Sequence, residues 1–185
     1  DMFKDAALRK NGNKLTYNDI ILKAVASTLA GFEDVNVRLD GDSILYFKHV
    51  HLGFAVSIPN GLIVPVIRNA EEKSVAEISR EASMLADKAR IGKLMPDEFT
   101  GGTFTVSNLG GNGLEGFQAI IPPESGILAI GSIQKKAVVV NDEIVIRPMM
   151  SIVGSFDHRL VDGALAARFM VQLKKTLEET SALFI

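Results

Sequence analysis

Residues 155–163 read Ser155-Phe156-Asp157-His158-Arg159-Leu160-Val161-Asp162-Gly163, placing four ionisable side chains within six positions of an otherwise apolar stretch. Asp162 can cap a helix that begins there, and Asp157 can pair with Arg159. Those two roles leave the imidazole of His158 without a structural task. An imidazole can take a proton near neutral pH and return it, so His158 reads as a general base. A second group is Ser107, which ends Thr103-Phe104-Thr105-Val106-Ser107 and precedes Asn108-Leu109-Gly110-Gly111. On a strand its hydroxyl lies on the face opposite Phe104 and Val106, beside glycines that let a substrate come close. That hydroxyl can be a nucleophile, donate to an oxyanion, or simply satisfy a turn.

Two other patterns lead away from chemistry. Gly111-Asn112-Gly113-Leu114-Glu115-Gly116 has the G-x-G-x-x-G spacing of a dinucleotide loop. Such a loop needs a helix opening at the third glycine to face the pyrophosphate. Phe117-Gln118-Ala119-Ile120-Ile121-Pro122-Pro123 follows instead, and its β-branched residues and two prolines exclude that helix. The segment reads as a bent loop. His49 and His51 lie two apart on an expected strand and could pair on a metal. No third ligand stands at a recognisable spacing, so a solvated face without metal is expected.

The elements that position these groups alternate between helix and strand periods. Thr16 and Asp19 form a capping box ahead of the stripe Ile20, Ile21, Ala24, Val25, Thr28 and Leu29, which stops near Gly31. Ser74 and Glu77 form another ahead of Val75, Ile78, Ala82, Leu85 and Ala89. A third helix is expected from Asp162 to about Glu179, with Phe169, Met170, Leu173 and Leu177 inward. Strands are expected over 51–58, 103–107, 117–121, 126–133, 136–140, 143–149 and 151–156, with an apolar run at 62–67 and a tight turn at Asn141-Asp142. The fold class is α/β, an α+β arrangement of a mixed sheet with flanking helices.

At 185 residues, 47% hydrophobic and 23% charged, the chain reads as one globular domain that can bury a core unaided. Twenty basic against 22 acidic residues give a net charge of −2, which points away from nucleic acid. The absence of cysteine removes disulfides, thiolate–zinc sites and a cysteine nucleophile, and fits a reducing compartment. No apolar run approaches the ~20 residues that span a bilayer, so no membrane partner is expected. Asp1-Met2-Phe3-Lys4-Asp5 carries no apolar signal core.

Asp157-His158-Arg159-Leu160-Val161-Asp162-Gly163 resembles the D-H-R-x-x-D-G signature of the acyltransferase (E2) component of 2-oxo acid dehydrogenase complexes. The resemblance extends over essentially the whole chain, through Leu15-Thr16-Tyr17-Asn18-Asp19, Gly53-Phe54-Ala55-Val56, Pro59-Asn60-Gly61-Leu62-Ile63-Val64-Pro65-Val66 and Gly102-Thr103-Phe104-Thr105-Val106-Ser107-Asn108-Leu109-Gly110. It implies a chloramphenicol-acetyltransferase-like fold and acyl exchange between dihydrolipoamide and coenzyme A. His158 then matches the general base, Ser107 the oxyanion donor, and Asp162 the residue supporting the histidine loop. Asn108 would border the channel for coenzyme A and lipoamide, and no metal is needed.

The resemblance further implies a homotrimer whose base and serine come from neighbouring subunits, assembling into a hollow core. The apolar end Ala182-Leu183-Phe184-Ile185 resembles the contact between trimers, or folds onto its own subunit. Lipoyl and peripheral-subunit-binding domains, which reach the E1 and E3 partners, have no counterpart in residues 1–185, and the sequence reads as starting inside the catalytic domain. Such a protein works in the cytoplasm of a bacterium or in the mitochondrial matrix. Two other readings are a non-catalytic scaffold of the same core and a stand-alone CoA-dependent acetyltransferase. Scaffold relatives lack the histidine, and stand-alone enzymes usually carry a second histidine where Asp157 stands.

Overall fold

The structure, a computed structural model, describes residues 15–120, 122–179, 181 and 183. In chain order the elements are α1 (Tyr17–Leu29), β1 (Val37–Asp40), β2 (Ser43–Tyr46), β3 (Leu52–Phe54), β4 (Val56–Ile58), β5 (Gly61–Ile63), β6 (Val66–Ile67), α2 (Val75–Arg90), β7 (Phe104–Asn108), β8 (Gly126–Val140), β9 (Glu143–Phe156) and α3 (Gly163–Glu178). Both capping boxes form. Thr16 Oγ1 accepts from the Asp19 amide while Asp19 Oδ2 accepts from the Thr16 amide, and Ser74 and Glu77 repeat the pattern. Asp19 is buried, and its Oδ2 also accepts from Ser79 Oγ at 3.0 Å, which ties the start of α1 to α2.

Five strands form a mixed sheet in the order β6-β3-β7-β8-β9. The central strands β3, β7 and β8 run parallel, and the flanking strands β6 and β9 pair antiparallel to them. Phe104, Val106, Leu128 and Ile130 project from one face into a core shared with all three helices. Phe169 of α3 sits at its centre, with ring centroids 5.6 Å from Phe104, 5.9 Å from Phe156 and 5.6 Å from Phe32. As the 3.6-residue period requires, Phe169 and Leu173 are buried while Met170 and Leu177 pack half-buried beside them. The opposite face carries Thr105, Ser107, Ile127 and Ser155 in register.

Several strand boundaries differ from expectation. The 51–58 run breaks at Ala55, whose amide donates to the Val106 carbonyl while the chain leaves the sheet for the β4–β5 ribbon. The 62–67 run is split at Pro65, which has no amide to give to a ladder and only accepts from the Phe54 amide. Of the strand expected over 117–121, Ile121 lies outside the described residues; 117–120 form no strand, because no described residue pairs with them, and Ile120 is 84% exposed. The four expected C-terminal strands merge into two long ones, joined by the foreseen turn with Asn141 and Asp142 at φ 52° and 63°.

A register shift between Ile130 and Ile133 bulges β8 at Gly131. There the backbone of Glu115 passes so close that a Cβ on residue 131 would meet its carbonyl oxygen at 1.9 Å. Only glycine lets the 109–116 loop dock on the sheet at that point. The G-x-G-x-x-G segment is accordingly a docked loop with one short 3-10 turn and no phosphate-facing helix. Of the apolar C-terminal run, Leu183 is buried in its own subunit's core, and Ala182, Phe184 and Ile185 lie outside the described residues. Among the described residues, no helix is long and apolar enough to cross a membrane.

Candidate active site

The corner between β9 and α3 is built by its own polar residues. The Asp157 amide donates to the Ser125 carbonyl, and the Asp157 carbonyl accepts from the amides of Leu160 and Val161, each at 2.9 Å. Its carboxylate takes a fork of bonds from Arg159, with Nη2 to Oδ2 at 2.6 Å and Nε to Oδ1 at 3.0 Å. Hydrogen bonding from Arg159 holds the Asp157 carboxyl below the usual carboxylate range. Asp162 caps α3, with Oδ1 accepting from the Leu165 amide at 2.8 Å, and that bond holds its carboxyl low as well. Both structural roles foreseen for the acidic residues are therefore filled, and His158 takes part in neither. The imidazole is exposed and makes no hydrogen bond among the described residues.

His158 opens onto a cavity of about 800 Å³ lined by Ala119, Ile120, Pro122, Glu124, Ile127, Ser155 and Phe156, with Asp157 and Arg159 at its edge. Ser107 does not line it. Ser107 is half-buried on β7, opposite Ala129 of β8, and its hydroxyl has no partner among the described residues. It shares the helix-free sheet face with Thr105, Ile127 and Ser155. His158 instead follows Phe156, whose partner Gly126 stands at the other end of the β8 segment that pairs with β7. One chain therefore holds an exposed imidazole and a free hydroxyl that do not meet.

Asn108 faces elsewhere. Its Nδ2 donates to Asn18 Oδ1 at 3.0 Å and its Oδ1 accepts from the Gly110 amide at 2.9 Å. With Asn18, Ser57, Ser83 and Arg90 it borders a second, more polar cavity of about 770 Å³ between α1, α2 and the end of β7.

Glu124 was not singled out in the sequence. A lone carboxylate in Pro122-Pro123-Glu124-Ser125-Gly126-Ile127, next to a strand buried on both faces, is the signal that could have found it. Its Oε2 accepts from Thr105 Oγ1 at 2.6 Å, and burial pushes its carboxyl up to about 7 against the opposing pull of Thr105 and Arg38. His49 also gains neighbours invisible in the linear pattern. Its Nδ1 lies 2.8 Å from Glu71 Oε1 and 3.5 Å from Glu72 Oε1, while His51 turns away to accept from the Asn69 amide. Those three side chains are close enough to share a cation, but Glu71 is already engaged as an anchor, its Oε2 accepting from the Val50 amide.

Comparisons with known proteins identify the family and the fold. The dihydrolipoyllysine-residue acetyltransferase component of the pyruvate dehydrogenase complex of Rickettsia conorii is 43% identical over 173 residues, 93% of this chain and 42% of that protein. The chain thus spans less than half the length of the curated relatives it matches. The dihydrolipoamide acetyltransferase of Azotobacter vinelandii, solved to examine a serine, a histidine and an asparagine in its catalytic mechanism, superposes with a TM-score of 0.92 at 38% identity, covering 100% of this chain and 77% of that one. A structure of the cubic core of the pyruvate dehydrogenase multienzyme complex matches with the same TM-score, identity and coverage. Chloramphenicol acetyltransferase, at 16% identity and a TM-score of 0.54 over 94% of this chain and 82% of that one, shares the fold. The family described as 2-oxoacid dehydrogenases acyltransferase (catalytic domain) matches residues 2–185. On its sequence, its mixed sheet and the corner that carries His158, the chain belongs to the acyltransferase catalytic domains of the 2-oxoacid dehydrogenases.

Proposed function

We propose that the chain moves an acyl group between dihydrolipoamide and coenzyme A, both bound as substrates, through a ternary complex. The observation that carries this reading is the exposed imidazole of His158, free of structural bonds at the mouth of a largely apolar cavity. Neutral His158 takes the proton of the coenzyme A thiol as its sulfur forms a bond to the thioester carbon. The carbonyl oxygen gains the negative charge, and the Ser107 hydroxyl of a neighbouring subunit donates to it. The bond to the lipoyl sulfur then breaks, and the proton held by His158 passes to that sulfur. Ser107 stays a donor throughout, so no acyl-enzyme forms. Asp162 fixes the start of α3 four residues downstream, and its carboxylate also acts electrostatically on the ring.

A shared site requires copies of the chain to meet, and a homotrimer built into a larger core is the assembly proposed. Beyond the sheet, β8 and β9 continue as an unsupported ribbon, where Ile133, Ala137, Val139, Ile144 and Ile146 fall on one face by register. Val139, Ile144 and Ile146 are 70%, 79% and 72% exposed, an apolar stripe that a monomer would leave in water. The solved relative from the pyruvate dehydrogenase complex is itself a cubic core, which supports assembly of this kind. The acyl group is carried to the site on a lipoyl domain, and E1 and E3 partners are reached through the parts of such proteins outside this domain.

The test is release of coenzyme A from acetyl-CoA and dihydrolipoamide by the assembled protein. His158→Ala should lower turnover about 10²–10⁴-fold at unchanged solution mass. Retained turnover in that variant would remove His158 from the chemistry. A covalent acyl-serine trapped with acetyl-CoA alone would instead make Ser107 a nucleophile.

A further inference from the structure

Glu124 has no part in the proton transfer described above, yet it lines the cavity onto which His158 opens. Its position is set from three sides. Thr105 Oγ1 donates to Oε2, Gly102 packs so closely that a Cβ there would lie 2.6 Å from Oε1, and residue 124 bridges to Arg38 of β1 through the backbone. The other charges facing this carboxyl are few. Asp157 and Arg159 at the β9–α3 corner neutralise each other, His158 stands beside them, and the Arg38 guanidinium is stacked over the Phe47 ring at 5.7 Å. Arg68, behind Gly101, is occupied with the carbonyls of Asp97, Thr100 and Gly101. Ile120, Pro122, Ile127 and Phe156 make up most of the remaining wall.

We propose that Glu124 is a specificity-determining residue of the His158 cavity, admitting acyl groups with uncharged ends and opposing those that end in a carboxylate. The inference rests on the reading of this cavity as the place of acyl transfer. An acyl chain whose thioester carbon lies at His158 can extend along the cavity walls that include Glu124. A terminal methyl meets the apolar side chains there. A terminal carboxylate meets a second carboxyl that forms no ion pair among the described residues and feels Arg38 only through its charge, and the repulsion appears once Glu124 is ionised. Burial delays that ionisation to about neutral pH, so discrimination should switch on across the physiological range.

The experiment compares succinyl-CoA with acetyl-CoA as acyl donors to dihydrolipoamide, from pH 6 to 8.5, in the assembled protein. The ratio of the two kcat/KM values cancels any proton-transfer step that both reactions share. In the wild type the succinyl-to-acetyl ratio should fall about tenfold from pH 6 to pH 8.5, the size of effect one like charge exerts across a partly solvated cavity. In Glu124→Gln the ratio should stay flat and exceed the wild-type ratio about tenfold at pH 8.5. A wild-type ratio independent of pH would overturn the proposal without any variant, and so would an unchanged slope in Glu124→Gln. Failure of the underlying reading is told apart by His158→Ala, which would then keep its turnover with acetyl-CoA whatever the ratio does.

Discussion

At the scale of single residues, the corner divides labour among neighbours. Asp157 and Arg159 fold the turn, Asp162 starts the helix, and His158 is left with a bare ring. Ser107 is likewise unengaged, which is how a hydroxyl kept for an oxyanion should look before substrate arrives. Ser107→Ala is therefore expected to lower kcat about 10²–10³-fold with KM little changed, since the bond it removes forms as charge develops. Steady-state kinetics on the assembled variant reads this directly. Glu124 makes a prediction about stability. Unfolded, its carboxyl ionises near 4.5, whereas in the fold it stays protonated to about 7. The unfolded chain thus binds fewer protons between these values, and Glu124 costs the native state progressively more stability as pH rises through that window. Glu124→Gln should then gain on the wild type from pH 4.5 to 7, reaching about 3 kcal/mol, and hold that gap above 7. Urea unfolding at pH 5 and pH 8 would measure it, and an equal gap at both would contradict the assignment.

At the scale of elements, each piece near the site is held by a local device with a readable cause. The capping boxes at Thr16 and Ser74 start their helices where the sequence says, since short polar side chains satisfy amides that no helical carbonyl can reach. Strand limits were less legible, and the reason differs at each one. Pro65 cuts a ladder by lacking an amide, while 117–120 looks like a strand but finds no partner to pair with. The β8–β9 ribbon is the element with most left to do. Its apolar stripe lies beyond the sheet, so a lysine there should leave the fold intact and weaken self-association. Ile144→Lys is expected to shift solution mass in sedimentation toward the monomer with an unchanged circular dichroism spectrum. An assembled Ile144→Lys of wild-type mass would exclude the ribbon from the interface.

At the scale of the whole molecule, one chain carries the proposed base and the proposed oxyanion donor on parts of the same sheet that do not converge. Complementation tests whether neighbours join them. If subunits refold together from an equal mixture of His158→Ala and Ser107→Ala chains, each mixed ring of three contains one intact pair of base and hydroxyl. About a quarter of wild-type turnover should return, from two preparations that are each nearly inactive, as threefold counting requires. Turnover no higher than that of the separate variants would place both groups within a single subunit's site.

The amino-acid order alone determined the local devices: which residues cap, which stripe faces the core, and which imidazole has no structural employment. These depend on spacings of three or four residues, and such neighbours are adjacent in any helix or turn that forms. The spread of family motifs through the chain determined the fold and the chemistry to look for. What lies near what across the sheet was decided only by tertiary structure. Strand pairing puts Thr105 beside Ile127 and brings Glu124 to Thr105, and residues 71 and 72 come to His49 by the same kind of long-range closure. No periodicity records these meetings, because a carboxylate's neighbours and its charge state depend on where the chain returns.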